Sequence, residues 1–424
     1  MGNLDYTQVL NKIENTRRFG NEPGVVVTAQ VIKVLREKGK QKRIIPYIHV
    51  AGTNGKGSVC AFFSSILKKE HMRVGTFVSP HLVDFEERIT VDGRMIPKED
   101  VTRLGNYLLD IDFGIGLTMF DYCLAMALLY FEEQQCDYMV IETGLGGRLD
   151  STNAIGIPQC AVITKIGYDH MAILGSDIAD IAAEKAGIIK ENGTVVVEQQ
   201  DKRAMQVIEQ EAKKKHARII TVEQSDIARC SGYALRLCGT FQWENAAAAE
   251  LAARYVLGKR YSGPEYEMQY DKTEPKSEET DLNDRIKRAL EEAVWPGRME
   301  IVSKEPFLLV DGAHNSNGVD ALKESLMQMY PGEKFCFFMG VMADKDYDVM
   351  IREILPLAEE FYTVTPDSDR ALQASHLADF IRKEGVCATE LSGVDEIRKH
   401  LKRDTKNVAF GSLYFIGELK QHRI

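Results

Sequence analysis

Seven residues, Gly52-Thr53-Asn54-Gly55-Lys56-Gly57-Ser58, combine what an anionic ligand asks of a protein. Glycines let the backbone pass close to a phosphate and aim successive N–H groups at it. Lys56 adds a mobile full charge for the outer phosphates. A helix starting at once after them contributes the partial positive charge of its N-terminus. The spacing is not that of the common NTPase loop, which has four residues between its glycines and a hydroxyl directly after the lysine. Here two residues separate Gly52 from Gly55, and Gly57 stands between Lys56 and Ser58.

Other groups with chemical potential end apolar runs. Glu142 follows Tyr138-Met139-Val140-Ile141, and Gly167-Tyr168-Asp169-His170 follows Ala161-Val162-Ile163-Thr164. Asp311-Gly312-Ala313-His314-Asn315 follows Phe307-Leu308-Leu309-Val310. In an open α/β sheet, ligands gather at the carboxyl ends of the strands, which is where these residues would stand.

The elements needed to position them are readable. Residues 45–50 form a short β-branched and aromatic run, a buried strand, and 59–69 show helical spacing. Strand, glycine turn and helix thus follow in the order of a phosphate-cradling unit. Two helical patterns precede it within 5–39. Further strands are expected at 73–78, 88–94, 138–141, 161–164, 194–197 and 218–220, with helices at 99–110, 118–133 and 245–257. Residues 230–241 suggest a small antiparallel pair. The acidic stretch at about 259–285, poor in apolar residues, reads as a mobile surface insertion. Trp295-Pro296-Gly297-Arg298 marks a hinge. Beyond it strands at 307–310, 335–338, 361–364 and 408–410 alternate with helices at 318–330, 346–360, 374–383 and 395–402. The expected fold is α/β: an N-terminal P-loop-type ATPase domain with a mainly parallel sheet (1–297), and a smaller Rossmann-like C-terminal domain (298–424).

Length and composition fit. A chain of 424 residues exceeds one ordinary core, and 44% hydrophobic residues can build two. A net charge of −10 argues against a general nucleic-acid binder. The eight cysteines form no CxxC pair and read as reduced thiols of a cytoplasmic protein. The start lacks a basic, apolar signal segment, and no apolar run is long enough to span a membrane. The expectation is a cytoplasmic monomer with small-molecule partners.

The loop Gly-Thr-Asn-Gly-Lys-Gly-Ser resembles that of the folylpolyglutamate synthases and dihydrofolate synthases of the Mur ligase superfamily. The resemblance continues in order through Phe77-Val78-Ser79-Pro80-His81-Leu82 with Glu87-Arg88-Ile89, and Glu142-Thr143-Gly144-Leu145-Gly146-Gly147-Arg148-Leu149-Asp150-Ser151-Thr152-Asn153. It goes on through Gly167–His170, Glu184-Lys185-Ala186-Gly187, Pro296-Gly297-Arg298, Asp311–Asn315 and Gly411-Ser412-Leu413-Tyr414. Departures are Phe241 for a usual histidine, Asp121 for a glutamate, Thr143 for a valine and Ser316 for a proline.

That resemblance implies an ATP-dependent ligase joining L-glutamate to dihydropteroate, to reduced folates, or to both, through an acyl phosphate. It implies that Ser79, Glu142 and His170 hold one Mg²⁺, and that Lys185, carbamylated by CO₂, helps hold a second. Asn54, Gly55, Lys56, Gly57, Ser58, Asn245, Arg298 and Asp311 would contact ATP. His314 would meet phosphate or the incoming glutamate, making Lys56, Lys185 and His314 the catalytic candidates. Thr118, Phe120, Asp121, Arg148 and Asp150 would form the pterin site. Competing readings are chain extension alone, a Mur-type peptidoglycan ligase, and a P-loop ATPase switch. The Gly57 after Lys56 and the stretch 145–150 favour the folate reading over the second, and the Lys185 motif over the third.

Overall fold

The computed structural model describes residues 4–17, 20–43, 45–262 and 276–422. The chain divides into two compact units: residues 1–81, 85–234 and 244–293 in the first, and 82–84, 235–243 and 294–424 in the second.

The first unit is built on an eight-stranded sheet: β1 (Tyr47–Ala51), β2 (Val74–Phe77), β3 (Ile89–Val91), β4 (Arg94–Met95), β5 (Tyr138–Glu142), β6 (Cys160–Ile163), β7 (Thr194–Val197) and β8 (Arg218–Thr221). Their order is β4-β3-β2-β5-β1-β6-β7-β8. Strands β2, β5, β1, β6, β7 and β8 pair in parallel. β3 runs against β2, and β4 folds back on β3 as a short hairpin at the edge. Every residue of β1, β2, β5, β6 and β7 is buried. That is why these strands read as continuous apolar runs: parallel strands are covered by helices on both faces. One apolar core joins the sheet to the helices Tyr6–Glu14, Gly24–Glu37, Lys98–Leu109 and Met119–Glu133; another joins it to Ile178–Ala186 and Lys202–Lys214.

The register aligns the ends that matter. Val50 of β1 pairs with Glu142 of β5, Phe77 of β2 with Ile141, and Ala51 with Ile163 of β6. Gly52, Ser79, Glu142 and the 164–170 segment therefore leave one carboxyl edge of neighbouring strands.

Two expectations need correction. No strand occupies 230–241. A helix Gln224–Ser231 runs to Gly232 instead, and the long helix Phe241–Ser262 begins earlier than its pattern suggests. Cys230 is buried on a helix whose N-terminus Glu223 and Asp226 cap, and Gly232 and Gly239 interrupt the apolar residues between the two helices. The acidic stretch is also partly helical: Lys276–Glu292 buries Ile286, Ala289 and Leu290, and Arg285 Nε lies 2.7 Å from Glu70 Oε1. Residues 263–275 of that stretch lie outside the described residues.

The second unit carries a six-stranded sheet of β9 (Glu300–Lys304), β10 (Phe307–Val310), β11 (Phe335–Met339), β12 (Ala358–Thr363), β13 (Cys387–Glu390) and β14 (Lys406–Phe410), ordered β13-β12-β11-β14-β10-β9. All run parallel except β9. The fully buried rings of Phe335, Phe337, Phe338, Phe361 and Phe410 fill its core. The edge strands β9 and β13 escape sequence reading because their exposed, mixed-polarity residues lack the buried-strand pattern. The helix expected at 346–360 stops at Ile354, where Pro356 enters a short 3₁₀ turn and β12 begins at Ala358. The one expected at 395–402 is confined to Ile397–His400, and a further helix, Leu413–Gln421, lies beyond those expected.

Candidate functional site

The phosphate loop is shaped by backbone chemistry at two glycines. Gly55 has φ +91 and caps the helix Lys56–Lys69; a Cβ there would run into Asn245 Oδ1. At Gly52 a Cβ would collide with Thr164 Oγ1. The first position needs glycine for its left-handed backbone and the second for close approach. Thr53 and Asn54 donate their N–H groups to the Lys165 carbonyl at 2.9 and 3.2 Å, and Thr164 Oγ1 donates to the Asn54 carbonyl at 2.6 Å. Ser58 is buried in the first turn of the helix.

Two lysines converge on one acceptor. Lys185 Nζ donates to the Gly52 carbonyl at 2.7 Å, and Lys56 Nζ to the same oxygen at 3.2 Å and to that of Thr53 at 3.3 Å. Lys185 is only 4% exposed. Burial pushes its pKa down to about 7, the Lys56 charge adds to this, and Asp169 and Asp150 oppose it. The neutral amine is therefore accessible near neutral pH. Lys56 Nζ also stands 3.8 Å from Glu142 Oε1. Glu142 Oε2 in turn accepts the Ser79 N–H at 3.3 Å.

Ser79, Glu142, Lys56 and Lys185 thus form a connected chain of contacts. The His170 imidazole is 42% exposed, with Nε2 4.0 Å from Asp169 Oδ1. Among the described residues no group of three or more His, Cys, Asp or Glu is poised to hold a metal ion. A hydroxyl, one carboxylate and an imidazole nevertheless suit a magnesium ion that completes its shell with phosphate oxygens and water.

The expected pterin residues separate into two kinds. Thr118 and Asp121 cap the helix Met119–Glu133: Thr118 N–H and Oγ1 donate to Asp121 Oδ2 at 2.8 and 2.6 Å. Ser151 Oγ donates to Asp121 Oδ1 at 2.6 Å. Asp150 is buried, accepts the Leu145 N–H at 2.8 Å and the Thr152 N–H at 3.0 Å, and bonds the Thr152 hydroxyl. Burial pushes its carboxyl up, and those hydrogen bonds oppose the rise. The polar atoms of these three are engaged in holding the 143–153 loop and the helix start. Phe120 and Arg148 are placed differently. Phe120 lies edge-on to Phe77 with centroids 5.5 Å apart and blocks any Cβ at Gly144. Arg148 is exposed, and its Nε donates to Glu184 Oε1 at 3.1 Å.

The Ser151–Asp121 bond makes a stability prediction. Ser151→Ala should lower the unfolding free energy by about 1–2 kcal/mol, since one buried partner of a charged acceptor is lost. An unchanged denaturation midpoint would show that the bond contributes nothing.

The second unit holds its own candidates close together. Asp311 is buried and accepts the Met299 and Ala313 N–H groups, each at 2.8 Å. Burial pushes its carboxyl up and the Arg298 charge opposes this. Arg298 lies across Gly312, where a Cβ would meet its Nη1 at 2.8 Å. His314 Nδ1 lies 2.8 Å from the Gly312 carbonyl, which can only accept, so the proton sits on Nδ1.

Three contributors lie outside the sequence-derived candidates: the Gly52 carbonyl, Lys165 and Asp169. The first two act through backbone atoms, which side-chain identity cannot announce. Asp169 belongs to the 167–170 motif, where the adjacent imidazole is the more conspicuous ligand.

Residues 50–253 match the Mur ligase middle domain and residues 297–411 the Mur ligase glutamate ligase domain. The dihydrofolate synthase/folylpolyglutamate synthase of Bacillus subtilis (strain 168) is 33% identical over 98% of both chains. E. coli FolC solved in complex with DHPP and ADP superposes with a TM-score of 0.80 at 26% identity, covering 99% of this chain and 97% of that one. The bifunctional folylpolyglutamate synthase/dihydrofolate synthase of Yersinia pestis, complexed with AMPPNP and a Mn ion, gives 0.82 at 25%, covering 99% and 98%.

Proposed function

The chain belongs to the dihydrofolate synthase/folylpolyglutamate synthase family of Mur ligases, and we propose that it joins L-glutamate to dihydropteroate and to reduced folates at the expense of ATP. The observation that carries this reading furthest is the pair of lysines on the Gly52 carbonyl, with Glu142 beside Lys56. In such a cluster Lys56 suits neutralisation of a phosphate in transfer, and the buried Lys185 beside it is poised to become a carbamate.

The chemistry proceeds in two steps. A carboxylate oxygen of the pterin substrate attacks the γ-phosphorus of ATP, giving an acyl phosphate and ADP. The neutral amine of glutamate then attacks the acyl carbon; the phosphate leaves with its bridging oxygen, and the nitrogen loses a proton as the amide forms. Lys56 and the loop N–H groups of 54–58 offset charge on the transferring phosphoryl group, the main task in such reactions. Ser79, Glu142 and His170 would hold one magnesium ion and Lys185, as a carbamate, would help hold a second, which when bound would neutralise phosphate oxygens further. Asn245, Arg298 and Asp311 bind and orient nucleotide, and His314 takes phosphate or glutamate. Phe120 and Arg148 contact the pterin substrate, whereas Thr118, Asp121 and Asp150 hold the wall in shape.

The carbamate is supported by the buried, readily neutralised Lys185 amine. An ammonium there would oppose divalent cations, and the carbamate reverses that sign. We further read the protein as a cytoplasmic monomer. Its eight free cysteines, six of them buried, suit a reducing compartment. No helix among the described residues is long and apolar enough to cross a membrane.

Purified protein given ATP and glutamate should release phosphate with dihydropteroate and with tetrahydrofolate, each only when glutamate is present. Release with tetrahydrofolate alone would restrict the enzyme to chain extension. ATP turnover indifferent to glutamate would overturn the ligase reading and favour a switch.

A further inference from the structure

Behind the phosphate loop lies a second layer of side chains that the reaction does not use. Glu198, which follows β7, is 1% exposed. Its Oε2 accepts the Lys165 N–H at 2.7 Å, while its Oε1 is buried without any donor. Gln200 continues the clamp: its Oε1 accepts the Ile166 N–H at 2.9 Å and its Nε2 donates to the Thr164 carbonyl at 3.0 Å. The strip so held, 164–166, is the one whose Lys165 carbonyl receives the Thr53 and Asn54 N–H groups of the phosphate loop. Glu198 therefore reaches that loop through a single residue.

The other side of the clamp is acidic as well. Glu244, on the helix Phe241–Ser262 and adjacent to Asn245, accepts the Gln199 N–H at 2.6 Å through Oε1, and its Oε2 lies 3.9 Å from Lys165 Nζ. Lys165 Nζ donates to the Gln199 carbonyl at 2.8 Å. Among the described residues, Glu244 and Lys165 are the charged groups that bear on Glu198. Two carboxylates and one half-exposed lysine leave the cluster with an excess negative charge in a buried place. A proton on the donorless Glu198 oxygen removes that excess and takes an unpaired charge out of a buried place.

We propose that Glu198 is a positioning residue that works as the neutral acid, setting the Lys165 carbonyl and through it the phosphate-loop N–H groups for ATP. Burial and the Glu244 charge both push the Glu198 carboxyl well up, and Lys165 opposes them, in agreement with this geometry. Ionisation would put like charges on facing elements and press the 164–166 strip out of line. The inference rests on the ATP-ligase reading above.

The test is binding of a nonhydrolysable ATP analogue with Mg²⁺, measured by calorimetry as pH is raised from 6 to 10. In the wild-type protein the affinity should fall at alkaline pH, with a limiting slope of about tenfold per pH unit for release of one proton. Glu198→Gln, which keeps the shape of the neutral acid, should lose that alkaline step. Glu244→Gln should move the step to lower pH, because Glu198 then ionises more easily. The same alkaline loss in Glu198→Gln as in the wild type, or a step in Glu244→Gln that stays put or moves up, would overturn the proposal. Absence of analogue binding at every pH in the wild-type protein would instead strike the ligase reading itself. Should Glu198→Gln fail to fold, the direction of the Glu244→Gln shift decides alone.

Discussion

Glu142→Ala is expected to leave the protein folded and unable to ligate, with kcat lowered on the order of 10³-fold, the scale seen when one preorganised electrostatic group is lost. Glu142 closes β5 at the edge where Gly52 and Ser79 also emerge. Its two oxygens face Lys56 Nζ and the Ser79 N–H. Removing them leaves Lys56 without its carboxylate partner and takes away the carboxylate among the proposed magnesium ligands. The backbone of β5 stays paired on both sides, so circular dichroism and the unfolding midpoint should change little beside activity. Near-normal turnover at low Mg²⁺ would remove Glu142 from the metal site.

Lys185→Ala is expected to reduce turnover by on the order of 10²–10³-fold, with partial recovery when acetate is supplied. Acetate carries the oxygen ligand that the carbamate would place in the same space. Because the carbamate forms from the neutral amine, and the Lys185 ammonium gives up its proton at about 7, activity should decline as pH falls through that value. It should also decline when CO₂ is stripped from the buffer. The stability sign runs the other way from a salt bridge. A lysine whose folded value lies below its ordinary 10.5 costs nothing at higher pH, and the cost grows as pH falls from 10.5 to about 7 before levelling. Unaltered activity of Lys185→Ala without added carboxylate would end the carbamate assignment.

Much of the fold is legible because its central strands are buried on both faces. Continuous runs such as 194–197 and 138–141 leave little ambiguity, and the glycine loop between strand and helix declares itself. The edge strands β9 and β13 are hidden by the same logic, since half-exposed residues carry no continuous run. Residues 230–241 mislead because scattered apolar side chains suit a helix end and a turn as well as a hairpin. In the site, Lys56, Glu142 and Lys185 stand out as candidates from residue type and motif. The parts played by Asp121 and Asp150 do not, because a carboxylate used for capping and one used for substrate look alike in a sequence. Only the partners, Thr118 and Ser151 for one and Leu145 and Thr152 for the other, distinguish them.

The pressing of Asn245 onto Gly55 has a consequence for how the protein is made. The phosphate loop leaves the ribosome early, but the side chain that packs against it is encoded 190 residues later. At about 5–20 residues per second, roughly 10–40 s of synthesis separate the two. During that interval the emerging chain holds a glycine-rich loop that lacks the side chain packed on Gly55. Contacts between such distant stretches also slow folding itself, because the intervening chain must be closed before any of them forms. The loop thus completes its packing late in the life of the nascent chain, although its own residues come first.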